Sequence, residues 1–237
     1  MLAVVFPGQG SQKIGMGRPW RENASWSVVD RAMAVTGLPI DELLLDDRGP
    51  DTYPSTREAQ LAVLVQSLVV WDAIAPHLPT PRLMAGHSLG QITALIASGA
   101  LEFAAGLHLA VARADATATA AAETPGAMAA LLGCDLDVAN TAVASAGDAW
   151  VANDNGARQI VIGGTPAGVA AASERAKALG VRKVMPLAVA GAFHTPLMAG
   201  AAAALTPVFA ATQFRSPAVP VVSNTDARSY ADDAWSD

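Results

Sequence analysis

The chain of 237 residues is long enough to bury a sizeable core, and its 52% hydrophobic and 15% charged content excludes a disordered or solvated scaffold. A net charge of −6 without any long basic run, together with 5% aromatic residues, argues against nucleic acid and anionic membrane as partners. The single cysteine, Cys134, cannot close an intramolecular disulfide and reads as a small buried residue.

Leu2–Phe6 is a continuous apolar run ending at Pro7-Gly8, the pattern of a buried parallel strand entering a loop, and too short for a secretory signal. Asn23 or Ser25 caps a predicted helix to about Thr36, stopped by Gly37 and Pro39. A long helix follows, capped by Ser55 or Thr56 and running to about Pro76. Its apolar stretch Leu61–Ala75 is broken by Gln66, Ser67 and Asp72, which suits a core helix better than a membrane span. A strand at Arg82–Ala85 then runs into the turn Gly86-His87-Ser88-Leu89-Gly90, with a helix from Gln91 to about Ala97 and an alanine-rich helix over Ala104–Ala122. This alternation predicts an α/β fold with a parallel sheet.

After Pro125-Gly126 the pattern changes. Strands at Ala127–Leu132, Trp150–Asn153, Gln159–Gly163 and Lys183–Pro186 alternate with helices at Leu136–Ala146 and Pro166–Leu179. The order βαββαβ is that of a ferredoxin-like unit. The expected organisation is a large α/β-hydrolase-like domain, residues 1–124 and 188–237, with a small ferredoxin-like domain, 125–187, inserted in it. The last predicted elements are a helix around Leu197–Ala211 and a strand Val219–Ser223.

Gly-x-Ser-x-Gly is a short pattern, but here a strand leads into it and a helix leaves it, which puts Ser88 on a sharp strand-to-helix turn. The helix start supplies N–H groups and a favourable dipole for an oxyanion, with Leu89 N–H as the natural first donor. Such a serine needs a base. Of His77, His87, His108 and His194, the last stands in the irregular segment Gly191-Ala192-Phe193-His194-Thr195-Pro196, where loops deliver catalytic groups; the other three together remain the alternative. Arg113, on a helix of alanine, valine and leucine, is either a snorkelling side chain or a guanidinium aimed at a carboxylate.

With Phe6-Pro7-Gly8-Gln9-Gly10-Ser11-Gln12, Gly86–Gly90, Arg113, the Asn153–Gly164 segment and Gly191-Ala192-Phe193-His194 in that order, the sequence resembles the malonyl-CoA:acyl carrier protein transacylases and the related acyltransferase domains of polyketide synthases. The resemblance implies that Ser88 attacks the thioester of malonyl-CoA with His194 as general base and later acid. It implies an oxyanion hole of the Gln9 and Leu89 backbone N–H groups, and a ping-pong transfer to the phosphopantetheine thiol of an acyl carrier protein. Arg113 would hold the free malonyl carboxylate, and Phe193 before the histidine goes with malonyl. No cofactor beyond the substrate malonyl-CoA, no metal and a cytoplasmic location are expected.

Two departures stand out. Gln91 occupies a place where relatives commonly carry glutamate. Relatives also continue beyond the strand matching Val219–Ser223 with a Gln or Asn whose carbonyl orients the histidine, so the sequence is expected to be either a fragment or a short form. The competing readings are a serine esterase or thioesterase, for which Asp135, Asp137, Asp148 and Asp154 lie between Ser88 and His194 but in the small domain, and a truncated non-catalytic acyltransferase-like module. Arg175, Lys177, Arg182 and Lys183 form the one dense basic group, either a solvated helix end or a docking patch for an acidic carrier protein.

Overall fold

A computed structural model describes residues 1–45 and 55–231. Strand β1 (Ala3–Phe6) opens the chain. Helix α1 (Ser27–Thr36) follows two 3-10 turns, the second (Ala24–Trp26) capped by Asn23, and it stops at Gly37 in the left-handed region. Helix α2 (Ile40–Leu45) comes next. Helix α3 (Thr56–Ile74) starts with a reciprocal capping box, in which Glu58 N–H donates to Ser55 Oγ and Ser55 N–H to the Glu58 carboxylate. Strand β2 (Leu83–Gly86), helix α4 (Gly90–Ala97) and helix α5 (Phe103–Glu123) complete the first half.

The second half runs β3 (Ala127–Leu132), α6 (Leu136–Ala144), β4 (Ala149–Asp154), β5 (Gln159–Gly164), α7 (Pro166–Ala178), β6 (Lys183–Pro186) and α8 (Ala199–Ala211). Two short strands, β7 (Val221–Val222) and β8 (Ser229–Tyr230), end the described chain.

The chain divides into two compact units, Met1–Ala114 with Thr206–Asp237, and Asp115–Leu205. In the first, the sheet order is β1-β2-β7-β8, with β1, β2 and β7 parallel and β8 antiparallel to β7. Its core draws on every side of α3, where Ala59 to Val65 are all buried; Leu64 and Val69 are fully so. That helix, extended to His77, is long and apolar enough to cross a membrane, but most of it is buried in the protein. Its Trp71 meets Phe6 of β1 edge-on at 6.0 Å between ring centres, joining helix to sheet.

In the second unit the sheet order is β4-β5-β3-β6, every pair antiparallel, with α6 and α7 packed against it. Counted within the unit this is strand order 2-3-1-4, the ferredoxin-like arrangement that the βαββαβ pattern predicts. Ala139, Ala142, Ala172 and Ala176 on the helices pack on Leu131, Ile160 and Ile162 of the strands. Small residues on both helices bring them close to the sheet, so alanine-rich sequence still yields a dense core.

The unit is wider than the βαββαβ segment alone. Leu187, Val189 and Phe193 pack on Met128, Ala130 and Val161, while Ala120 and Ala121 at the end of α5 pack on Met198 and Ala201. The chain therefore crosses between units inside α5 and α8, not at the Pro-Gly punctuation near 125. Helix α2 and strand β8 have no counterpart among the predicted elements; each is too short to show a period.

Candidate active site

Ser88 sits where β2 ends and α4 begins, with φ of +52°. A non-glycine residue in the left-handed region is strained by about 1–3 kcal/mol and persists only where its surroundings enforce it. They do so through close backbone packing. A Cβ on Gly86 would lie 1.9 Å from the Gly90 carbonyl, and one on Gly90 would lie 2.3 Å from the Phe6 oxygen. The glycines flanking Ser88 thus serve approach of backbone to backbone, and neither has a positive φ.

The same contacts bring in the loop after β1. His87 N–H donates to Phe6 O at 3.0 Å, and a Cβ on Gly8 would meet the His87 carbonyl at 2.5 Å. Gly8-Gln9 therefore lies against the Ser88 turn. Ser11 Oγ donates to Gly8 O at 2.9 Å, and Gly10 N–H to Gln12 Oε1 at 2.7 Å, so the loop carries its own restraints. The predicted oxyanion donors Gln9 and Leu89 belong to these two adjoining segments.

Arg113 reaches the same place from α5. Its Nη2 donates to Ser88 Oγ at 2.8 Å, and its Nη1 donates to Gln60 Oε1 of α3. Gln60 is fully buried. Burial brings the Arg113 pKa down to about 10, because the charged form loses hydration. The snorkelling alternative is excluded: the guanidinium points into the site and is held there by a buried amide.

Two contributors were not foreseen. Gln60 is a lone polar residue in the run Ala59 to Val65, and that isolation was a usable signal. Asn224, just after β7, carried no such signal. Its Oδ1 accepts from Ser88 N–H at 2.7 Å, and its Nδ2 donates to Gly86 O at 2.7 Å. Its own N–H donates to Gln91 Oε1 at 2.7 Å, so Gln91 supplies an acceptor at the start of α4.

His194 belongs to the second unit, with φ of +59°. Its loop is fixed by Thr195, whose Oγ1 donates to Ala192 O at 2.6 Å and accepts from Leu197 N–H at 3.3 Å. His77, His87 and His108 are exposed, as is His194. Of the acids that an esterase triad would draw on, Asp135 pairs with Arg158 at 2.9 Å, Asp154 accepts from Gly156 N–H, and Asp137 lies in the first turn of α6. Among the described residues no group of three or more His, Cys, Asp or Glu could hold a metal ion.

Residues 3–236 match the acyl transferase domain family. The chain is 37% identical over 232 residues to the malonyl CoA-acyl carrier protein transacylase of Bacillus subtilis, covering 95% of this chain and 73% of that protein. The chain belongs to the malonyl-CoA:acyl carrier protein transacylase family.

The Escherichia coli K12 member is 36% identical, over 96% of this chain and 75% of its own length. Among solved structures, the transacylase of Xanthomonas oryzae pv. oryzae matches with a TM-score of 0.90 at 38% identity, covering 98% of this chain and 76% of that one. A malonyl-transacylase in complex with its type II PKS acyl-carrier protein matches with a TM-score of 0.90 at 31% identity, covering 98% and 77%. The chain thus spans about three quarters of the length of these relatives.

Proposed function

We propose that the chain transfers a malonyl group from malonyl-CoA through an ester on Ser88 to the phosphopantetheine thiol of an acyl carrier protein. The observation that carries this reading is the 2.8 Å separation of Arg113 Nη2 from Ser88 Oγ. In a malonyl ester a single methylene separates the ester carbonyl from the free carboxylate. A guanidinium within hydrogen-bond reach of the nucleophile is therefore where that carboxylate needs a partner.

In the first half-reaction Ser88 Oγ adds to the thioester carbonyl as its proton passes to His194. The tetrahedral oxyanion takes hydrogen bonds from the N–H groups of Gln9 and Leu89. The C–S bond then breaks, and the leaving coenzyme A sulfur receives the proton from His194. In the second half-reaction the carrier thiol gives its proton to His194 and attacks the ester, and Ser88 leaves as the alcohol. Arg113 holds the malonyl carboxylate through both halves, kept in place by Gln60. Ser88 and His194 both have a positive φ, as do Ala157, Arg158 and Ala227, so their assignment as the reacting residues rests on the family's motifs. We take residues 125–187, the ferredoxin-like part of the second unit, as the inserted segment and the cytoplasm as the location.

Incubation with malonyl-CoA followed by intact-mass measurement gives the test. A malonyl adduct on Ser88, absent from Ser88→Ala and moving to added phosphopantetheinylated carrier protein, is the expected result. Rapid release of free malonate instead would mean a hydrolase, and no adduct on the folded protein would reject the catalytic reading.

A further inference from the structure

We infer that Asn224 is a positioning residue for the nucleophile: it clamps the strand-to-helix turn from outside and holds Ser88 in its left-handed conformation. The inference rests on Ser88 being the acylated residue. One asparagine contacts the turn at three successive places. Its Nδ2 donates to the carbonyl of Gly86 before the serine, its Oδ1 accepts the N–H of Ser88, and its backbone N–H donates to the side chain of Gln91 after it. Each distance is 2.7 Å. An asparagine side chain is suited to this because it presents one acceptor and two donors on a single rigid plane.

Two consequences follow from the chemistry. At φ of +52° the Ser88 backbone gains by relaxing toward the ordinary helical or extended regions, which would swing Oγ away from Arg113. Asn224 pins the peptide plane before Ser88 through this N–H and the turn beyond it through Gln91, so rotation about φ, which turns one against the other, is opposed. The Ser88 N–H is also occupied, which leaves the oxyanion to the donors of neighbouring residues. Asn224 itself is exposed and packs into no core, so its contribution lies in geometry at the turn more than in overall stability.

The test compares wild type, Asn224→Ala, Gln91→Ala, Gln91→Glu and the double alanine variant by quenched-flow loading from malonyl-CoA, with Tm measured for each. Displacement of a reacting atom by about 1 Å slows chemistry roughly 100-fold. Asn224→Ala is expected to load Ser88 roughly 10- to 100-fold more slowly, with KM for malonyl-CoA within about twofold of wild type and Tm within a few degrees. Gln91→Ala should slow the same step by less, and Gln91→Glu, which keeps an acceptor oxygen, should load faster than Gln91→Ala. The double variant should be no slower than Asn224→Ala, because both changes release one clamp.

Loading of Asn224→Ala at the wild-type rate would overturn the inference, as would a rise in KM that accounts for the whole loss. If Asn224→Ala does not fold, equal rates for the two Gln91 variants overturn it. Wild type that never loads Ser88 rejects the function itself, a result distinct from a wild type that loads and an Asn224→Ala that loads equally well.

Discussion

Arg113 carries its charge at neutral pH although burial lowers its pKa to about 10. The charged form is costlier in the folded than in the unfolded chain, so this group favours folding only as pH rises through about 10. Carboxylate binding runs the other way, because it needs the charge. Malonate affinity is expected to stay level from pH 7 to 9 and to weaken as pH passes about 10, measured by titration calorimetry. Arg113→Ala removes a charge-assisted pair worth about 1.5–3 kcal/mol, so kcat/KM for malonyl-CoA should fall roughly 10- to 150-fold while that for acetyl-CoA falls less. Arginine in a small-residue helix was visible in the sequence, but its direction was not. That direction depends on Gln60, 53 positions earlier, whose partner only the packing of α3 against α5 supplies.

At the level of elements, the turn between β2 and α4 was legible because glycine, strand end and helix start coincide within five residues. What the sequence hid was why both glycines are needed. Gly90 lies on the Phe6 carbonyl of the neighbouring strand, a contact between segments far apart in the chain. Gly90→Ala is expected to lower stability by about 2–3 kcal/mol and to displace Gly8-Gln9 along with the turn, seen as a lower Tm and slower loading together. The β7–β8 connection that delivers Asn224 could not be foreseen for a related reason. Its strands have two residues each, and their register comes from β2, not from their own pattern.

For the whole molecule, the two-layer alternation and the βαββαβ order gave both architectures, since each depends on periodicity that survives in a single sequence. The extent of the second unit did not come through. Leu187, Val189 and Phe193 lie outside regular elements, yet they pack on the back of the small sheet and take His194 with them. On that unit Arg175, Arg182 and Lys183 are exposed, whereas Lys177 is paired with Glu174 at 2.7 Å. Reversing the charge at Arg182 and Lys183 should raise KM for the carrier protein and leave loading from malonyl-CoA unchanged. Equal change in both half-reactions would dismiss the patch as a docking surface.

The left-handed backbone at Ser88 also implies that activity and robustness pull apart at this one position. Glycine adopts φ of +52° without the Cβ clash, so Ser88→Gly should melt higher than the native chain while losing all acyl transfer. Freed from function, this site would drift toward glycine. On the proposed function, the serine at this position serves the chemistry at a cost to folding.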